Sequence, residues 1–492
     1  MPSKERIITK SKYLTGLQCP KCLWITFNQP ERLPEISKDT SQVFDQGNIV
    51  GELAKTLYPD GIDIPYNDFK DSIKQTKKLL SLRKPLFEAS ILAGSYYSRV
   101  DILKPASGGA WDIIEVKSST GVSDVYLHDV SFQRFCLQQA GLKVSKCYLM
   151  HINNQYVRCG DIEPKELFIK EDITQQAKEY GVGIEGRLKS MQAIINSKKC
   201  PEVTISPNCT SPYECRLMPE CWGFLPKDNI FNLYRFRKDT AFRLFRKGIF
   251  NINDIPDDIN LNPSQRIQCE CVKSNAPYVN KKSLSRFLES LEFPLYFIDF
   301  ETFNVPIPQY DGTRPYMQVP FQFSVHVLDS LNAKPAHHGY LADGKKDPRP
   351  EILSRLKKIL GTKGTIMAYN MSFEIARLRE CSSEFKEYQS WFNKISSRFT
   401  DLLTPFRSFD YYHPLQKGSC SIKKLAPAII NKSYDNMEIA DGSSASSEYV
   451  RVTFTEAQEE ERKRIYKALE KYCELDTYVM VEIVEELKRI IS

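Results

Sequence analysis

The stretch "YFIDFETF", residues 296–303, decides how the second half of the chain is interpreted. It is an apolar run of strand length with two carboxylates two residues apart, Asp299 and Glu301. Residues i and i+2 of a strand point to the same face, so the two acids project together. Burying adjacent carboxylates is unfavourable unless a cation neutralises them. The stretch therefore predicts a central strand with a cation site, and an edge strand with a solvated acidic face is the alternative.

Two further stretches carry side chains that suit the same site. "AYNMSFEIARL" (368–378) places Glu374 at a predicted strand-to-helix turn, and "KYCELDTYVM" (471–480) is predicted to be helical. Tyr472 and Asp476 are four residues apart there and share one helix face. Four carboxylates can hold two divalent ions about 4 Å apart, an arrangement that activates a water and stabilises a leaving oxygen. We therefore expect Mg²⁺ or Mn²⁺ at Asp299, Glu301, Glu374 and Asp476, with Tyr472 orienting the water.

These three stretches resemble the DEDD exonuclease superfamily, of RNase H-like fold, in its tyrosine variant. The resemblance spans most of residues 293–490 and implies a 3′–5′ exonuclease that uses divalent metal. Glu374 departs from the pattern, because the family usually has Asp at that place. Lys423, in "GSCSIKKLAP" (418–427), is a candidate contact to nucleic-acid phosphate, and its alternative is a plain solvated lysine.

A second acidic cluster is predicted in the first half of the chain. "YYSRVDIL" (96–103) and "WDIIEVKSS" (111–119) are separated by a glycine-containing turn, so Asp101, Glu115 and Lys117 would lie on adjacent strands of a hairpin. A buried Asp and Glu can share a metal, and the lysine can position the attacking water. The pattern resembles the PD-(D/E)xK nuclease fold, although charged pairs on hairpins are also common surface features.

The cysteines point to a metal site beside that hairpin. "LTGLQCPKCLWI" (14–25) offers Cys19 and Cys22, and Cys209, Cys215 and Cys221 follow at equal spacing in a Pro-rich segment. The RecB-like branch of PD-(D/E)xK nucleases has one early and three late cysteines on a [4Fe–4S] cluster. That resemblance implies Cys19, Cys209, Cys215 and Cys221 as ligands, and structural zinc, which Cys22 would suit, is the alternative.

Two other features of the RecB-like branch concern the hairpin site. Gln133, in "SFQRFCLQQAG" (131–141), resembles the branch's helical Gln, which contacts DNA or the site lysine; a helix-surface glutamine is the alternative. The branch's metal-binding His is missing, because Gly51 stands in its place beside Glu52. Either Glu52 or Glu88 supplies the missing ligand, or the site is weak or inactive.

The composition bounds the class of protein. The chain has 492 residues and a formal charge of +7, which permits a nucleic-acid partner without requiring one. It has no apolar run of membrane-spanning length and no signal-peptide core, so a cytoplasmic protein with no membrane partner is expected. Strands interleaved with helices predict an α/β fold class. The predicted order is a PD-(D/E)xK, restriction-endonuclease-like domain (1–225), a basic helical linker (226–290) and an RNase H-like domain (291–492).

The linker sequence "YRFRKDTAFRLFRKG" (234–248) mixes basic and aromatic residues at helical spacing. Its continuation weakly resembles a helix-hairpin-helix that binds phosphates, and an amphipathic linker helix is the alternative. The whole chain resembles bacterial proteins that fuse a RecB-like iron–sulfur nuclease to an RNase H-like exonuclease. The expected function is a metal-dependent DNA exonuclease in repair or defence against foreign DNA. The alternatives are a nucleic-acid-binding or assembly protein with an inactive N-terminal nuclease fold, and an RNA exonuclease acting through the C-terminal site.

Overall fold

The computed structural model describes residues 6–35, 38–66, 68–330 and 333–492, with backbone alone for 38–44. The chain forms two compact units. The first unit comprises Met1–Phe224 together with Val305–Tyr316, and the second comprises Leu225–Asn304 and Met317–Ser492. The predicted linker, 226–290, thus belongs to the second unit. Both units combine a sheet with helices, which confirms the α/β class.

The first unit contains seven strands and nine α-helices among its described residues. The strands are β1 (Ile8–Thr9), β2 (Ile62–Asp63), β3 (Leu86–Ala93), β4 (Tyr96–Pro105), β5 (Trp111–Lys117), β6 (Val144–Ile152) and β7 (Phe168–Asp172). The helices are α1 (Lys10–Gln18), α2 (Pro20–Asn28), α3 (Lys38–Lys55), α4 (Phe69–Leu79), α5 (Asp124–Gln139), α6 (Pro164–Leu167), α7 (Thr174–Gly181), α8 (Ile184–Asn196) and α9 (Met218–Trp222).

These strands form one mixed sheet in the order β2-β3-β4-β5-β6-β7, and β1 pairs with β4. Strands β3, β4 and β5 are antiparallel neighbours, as the predicted hairpin requires, whereas β6 runs parallel to β5. The β5–β6 crossover is α5, which packs on the sheet. The hairpin and this helix therefore bring the predicted acidic residues and Gln133 to one region of the sheet.

The segment Val305–Tyr316 comes from the second half of the sequence but packs in the first unit. Ile307 and Tyr316 lie against its buried cluster, and the Arg158 guanidinium donates to the carbonyls of Pro308 and Gln309 at 2.9 and 2.8 Å. The chain therefore leaves the second unit after "YFIDFETF" and returns to it at Met317.

The second unit contains seven strands and ten α-helices among its described residues. The strands are β8 (Tyr278–Val279), β9 (Leu295–Phe303), β10 (Val319–Leu328), β11 (Ala336–Leu341), β12 (Thr365–Ala368), β13 (Phe399–Asp401) and β14 (Tyr411–Tyr412). The helices are α10 (Lys238–Arg246), α11 (Pro263–Ser274), α12 (Lys281–Glu289), α13 (Arg349–Ile359), α14 (Ser372–Glu384), α15 (Gln389–Ile395), α16 (Thr404–Arg407), α17 (Ile422–Ile429), α18 (Gly442–Phe454) and α19 (Glu459–Ile491).

Five of these strands form a sheet in the order β11-β10-β9-β12-β13. Strands β9, β10 and β11 are antiparallel neighbours, whereas β12 runs parallel to both β9 and β13. The acidic strand β9 is therefore central, as its apolar flanks predict. On one face of β9, Tyr296, Ile298 and Phe300 enter a core that includes residues of α13, α14 and α15. The opposite face is covered by α18 and α19.

Helix α19 begins without a capping box. Thr455 and Gln458 have the spacing of one, but Thr455 is the C-cap of α18, and Gln458, the N-cap of α19, makes no side-chain capping bond. The acidic residues of the first turn, Glu459 to Glu461, complement the positive end of the helix dipole instead. Among the described residues, no helix is both long and apolar enough to cross a membrane.

Candidate functional sites

The carboxylates of β9 point toward α19. Phe303, on the same face as Asp299 and Glu301, packs against Tyr449 of α18, with ring centroids 5.8 Å apart. The long helix α19 crosses this face and supplies Tyr472 and Asp476 from successive turns. The alternation of side chains along β9 and their repeat along α19 thus place the two predicted motifs side by side.

Three of the four predicted acids form one compact group. One oxygen from each of Asp299, Glu301 and Asp476 lies within 4.8 Å of the other two, and this is the single such group among the described residues. Glu374, in the first turn of α14, lies outside the group, although its charge acts on both Asp299 and Glu301. Parallel strands β9 and β12 end at the same edge of the sheet, which is why α14 begins close to the acidic strand.

Burial is the largest influence on the pKa of each acid. It raises the pKa of Glu301 and of Glu374 to about 8, and that of Asp476 to about 6. The pKa of Asp299 lies well above its usual range, because burial acts together with the charges of Asp476, Glu301 and Glu374. Without a cation, Asp299, Glu301 and Glu374 therefore favour the protonated form at neutral pH, whereas Asp476 is mostly ionised.

Two tyrosines adjoin Asp476. The Tyr434 hydroxyl donates to Asp476 Oδ1 at 2.7 Å, and the Tyr472 side chain lies close enough to Asp476 for each to influence the pKa of the other. Burial, followed by the charge of Asp476, raises the pKa of both tyrosines far above the usual range, so both hydroxyls remain donors at neutral pH. Sequence analysis missed Tyr434, which lies 42 residues from Asp476 in a segment that carries no motif.

Lys423 approaches the acidic group without an ion pair. Its ammonium donates to the carbonyl of Ala440 at 2.6 Å and lies 5.1 Å from the ring centroid of Tyr472. Its positive charge counteracts the raised pKa values of Asp299, Glu301 and Asp476. Asp401, a further acid near this edge of the sheet, accepts from the backbone N–H groups of Asn370 and Leu403 and therefore caps the strand end.

The residues of this site suit a hard divalent cation. In the described part of the chain, no lysine or arginine nitrogen lies within 4.0 Å of a carboxylate oxygen of the four acids. Glu374 Oε2 is buried without a hydrogen-bond partner. Buried polar atoms are normally paired, and oxygen-only donors are the set that Mg²⁺ and Mn²⁺ prefer. A divalent cation would supply both the missing partner and the missing positive charge.

The N-terminal cluster has a different electrostatic composition. Asp101 on β4 accepts the Val116 N–H at 2.8 Å, and the fully buried Glu115 on β5 accepts the Lys117 ammonium at 2.5 Å. Gln133 on α5 is also fully buried, and its amide donates to Glu115 Oε2 at 2.5 Å. The structure therefore brings all four predicted residues together, and Gln133 is an interior residue, not one on the helix surface.

Two members of this cluster were missed by sequence analysis. Asp129, one turn before Gln133 on α5, accepts from Lys117 at 2.9 Å and from the Gln133 amide at 3.0 Å. Asp129 and Gln133 are four residues apart on a helix, and this spacing could have identified Asp129 from the sequence. Lys10, at the start of α1, donates to Glu115 Oε1 at 2.9 Å, and no pattern in the sequence indicates that it reaches the hairpin.

The two acids considered as replacements for the missing histidine lie in different surroundings. Glu52 is exposed and pairs with Lys55 at 2.6 Å. Glu88 pairs with Arg99 at 2.9 Å, and Lys10 and Glu115 are close enough to influence its pKa, which burial raises. Glu88, not Glu52, therefore borders the cluster.

Several cysteines of the first unit lie close together. Cys19 lies between α1 and α2, and the thiol of Cys215 is close enough to those of Cys19 and Cys22 to influence their pKa values. Cys22 and Cys215 belong to one buried cluster, and Cys19, Cys200 and Cys221 pack against it. Cys209 is not among these packed side chains; its carbonyl accepts the Cys215 N–H at 2.8 Å.

Comparisons with known proteins assign no activity to the chain. Residues 296–421 match a family described as "Domain of unknown function (DUF2779)", a span that begins on β9 and includes Glu374 but ends before Lys423 and α19. No curated protein matches. A solved structure titled "Crystal structure of SSO0001" is similar at 13% identity, covering 46% of this chain and 90% of that one, with a TM-score of 0.24. This similarity is too low to support an argument about fold or function.

Proposed function

We propose that the chain is a metal-dependent nuclease whose cutting site is the carboxylate group on β9 and α19. The observation that carries the proposal is the grouping within 4.8 Å of Asp299, Glu301 and Asp476, of which the last two are buried, with no ammonium or guanidinium among the described residues within 4.0 Å of their oxygens. Carboxylates gathered this closely at a largely buried position are costly without a counter-charge, so the grouping favours a site that a cation completes.

The architecture of the second unit supports an RNase H-like domain. Three antiparallel strands followed by two strands parallel to the first, in the order β11-β10-β9-β12-β13, match the arrangement expected of that fold. In such a domain the first strand is central and carries the first two acids, as β9 does here. The last helix lies across it and carries the final acid, as α19 does here.

The chain's own residues suggest a division of labour during phosphodiester hydrolysis. When bound, divalent cations at the carboxylates would activate the attacking water and stabilise the leaving oxygen. Tyr434 fixes the carboxylate of Asp476, and the Tyr472 hydroxyl, kept protonated by its surroundings, would orient a water molecule. Lys423, whose charge acts on Asp299, Glu301 and Asp476, is the candidate contact to a substrate phosphate.

The basic segment supports a nucleic-acid substrate. Helix α10 buries Ala241, Phe242 and Leu244, while Arg243 and Arg246 are exposed. Lysine and arginine side chains on one helix face attract phosphates independently of base sequence. We propose that this face helps to hold the strand, and DNA is the favoured substrate over RNA.

The thiols around Cys215 support a structural metal site in the first unit, and we propose a [4Fe–4S] cluster, with zinc as the alternative. Thiolates are the ligands of both. The packing favours Cys19, Cys22, Cys215 and Cys221 as ligands over a set that includes Cys209. Such a site would join the start of the chain, at α1 and α2, to the end of the first unit's N-terminal segment.

The test is a nuclease assay of the full-length protein with Mg²⁺ or Mn²⁺ on end-labelled single- and double-stranded DNA and RNA. Asp299→Asn and Asp476→Asn are each expected to lower the rate by roughly 10³-fold or more, because each removes a charge that positions the metal. Glu351→Gln, which changes an exposed acid on α13, is the matched control and should cut normally. Products that shorten from the 3′ end one nucleotide at a time would identify an exonuclease. Wild-type cutting by both aspartate variants would refute the proposal.

A further inference from the structure

The N-terminal acidic cluster contains its own cations. Three carboxylates, those of Asp101, Glu115 and Asp129, surround the ammonium of Lys10 at 3.7, 2.9 and 3.9 Å. The Lys117 ammonium contacts Glu115 and Asp129 from a second position. Two positive charges thus face three carboxylates, whereas the C-terminal group has no ammonium within the same distance among the described residues.

The oxygen atoms of this cluster are also occupied. Glu115 Oε1 accepts from both lysines and Oε2 from Gln133, while Asp129 accepts from Lys117 at one oxygen and from Gln133 at the other. Asp101 Oδ2 accepts the Val116 N–H, and Oδ1 lies 3.7 Å from Lys10. A divalent cation bound here would need to displace at least one ammonium, and an ion pair to the fully buried Glu115 carboxylate is costly to break.

We propose that Lys10 occupies the position of a cation in the N-terminal cluster, so that this cluster binds no divalent metal while Lys10 is in place. The ammonium contacts all three carboxylates at once, as a shared metal ion would. The residues therefore do not fit the metal that the hairpin motif implies. The motif residues Asp101, Glu115 and Lys117 instead form an ion-pair network with Lys10 and Asp129. This network joins α1, the hairpin and α5.

The inference is tested by Mn²⁺ binding, not by cutting. Full-length protein carrying Asp299→Asn and Asp476→Asn, which disable the C-terminal site, is titrated with Mn²⁺ while free ion is followed by electron paramagnetic resonance. With Lys10 intact, no Mn²⁺ should bind at the N-terminal cluster. Adding Lys10→Met should strengthen binding there by about 100-fold or more, because a positive charge in contact with the ligands is removed.

Three controls make the outcome decisive. Lys12→Met removes an ammonium from the same helix that lies over the Phe27 ring instead of the acids, and it should create no site. Asp101→Asn, added to Lys10→Met, should abolish the new site. Should Lys10→Met destabilise the fold, Lys10→Gln replaces it, and melting temperature with circular dichroism verifies folding. Mn²⁺ bound with Lys10 present and lost on Asp101→Asn would overturn the proposal, as would a folded Lys10 variant that gains no site.

Discussion

The raised pKa of Glu301 predicts that the metal-free protein loses stability as pH rises. The folded protein holds a proton at this carboxyl until about pH 8, whereas the unfolded chain releases it near the usual glutamate value of 4.5. Between these values the folded state binds more protons, so the free energy of unfolding falls with increasing pH. The free-energy cost of ionising this carboxyl in the folded protein is absent below the unfolded pKa and is complete above the folded pKa.

Glu301→Gln removes this penalty by substituting a neutral side chain of nearly the same shape. A pH of about 7 lies some 2.5 units above the unfolded pKa of this carboxyl. The free energy of unfolding is therefore lower by roughly 3 kcal/mol, at about 1.4 kcal/mol per unit. Glu301 is buried, so this figure needs little discount for solvent screening, although coupling to Asp476 and Asp299 makes it an upper value. For a unit of this size, such a change corresponds to a rise in Tm of roughly 6–10 °C.

The assay is thermal unfolding of EDTA-treated protein at about pH 5 and about pH 8. The gain from Glu301→Gln should be near zero at the lower pH, should be large at the higher pH, and should reverse when Mg²⁺ is added, since only the wild type binds it. The matched control is Glu448→Gln, which changes a buried acid of the same unit that is already paired with Arg451 at 2.6 Å and should not stabilise the protein. A Glu301 variant that is no more stable than the wild type at the higher pH would refute the electrostatic reasoning.

Three further predictions follow from individual contacts. Tyr434→Phe should lower the cutting rate by roughly tenfold, because it removes one hydrogen bond that positions Asp476; steady-state kinetics on labelled DNA, with Tm as a check of folding, measures this. Cys22→Ala should lower the iron or zinc content of protein purified without oxygen, and Cys209→Ala should leave it unchanged; metal analysis that shows the opposite would favour the ligand set that the RecB-like resemblance implies. Gln133→Leu should lower the free energy of unfolding by about 2–3 kcal/mol, because two buried carboxylates lose a donor; urea denaturation tests this, and an unchanged midpoint would contradict it.

Short-range periodicity explains which parts of the sites were predictable. Asp299 and Glu301 share a face because strand side chains alternate, and Tyr472 and Asp476 share one because a helix repeats every 3.6 residues. The apolar flanks of β9 indicated a central strand, and the glycine turn before "WDIIEVKSS" indicated the hairpin. Each of these inferences depends on residues a few positions apart, so the sequence contains the information.

Contacts between distant segments were decided by tertiary structure alone. Lys10 reaches Glu115 across 105 residues and Tyr434 reaches Asp476 across 42, and neither pairing has a spacing that a local rule detects. The segment Val305–Tyr316 joins the first unit although the sequence around it belongs to the second. Sequence by itself therefore determined which faces carry the acids. Packing decided whether an ammonium neutralises them, because a charge acts through space on whatever the fold places within a few ångströms.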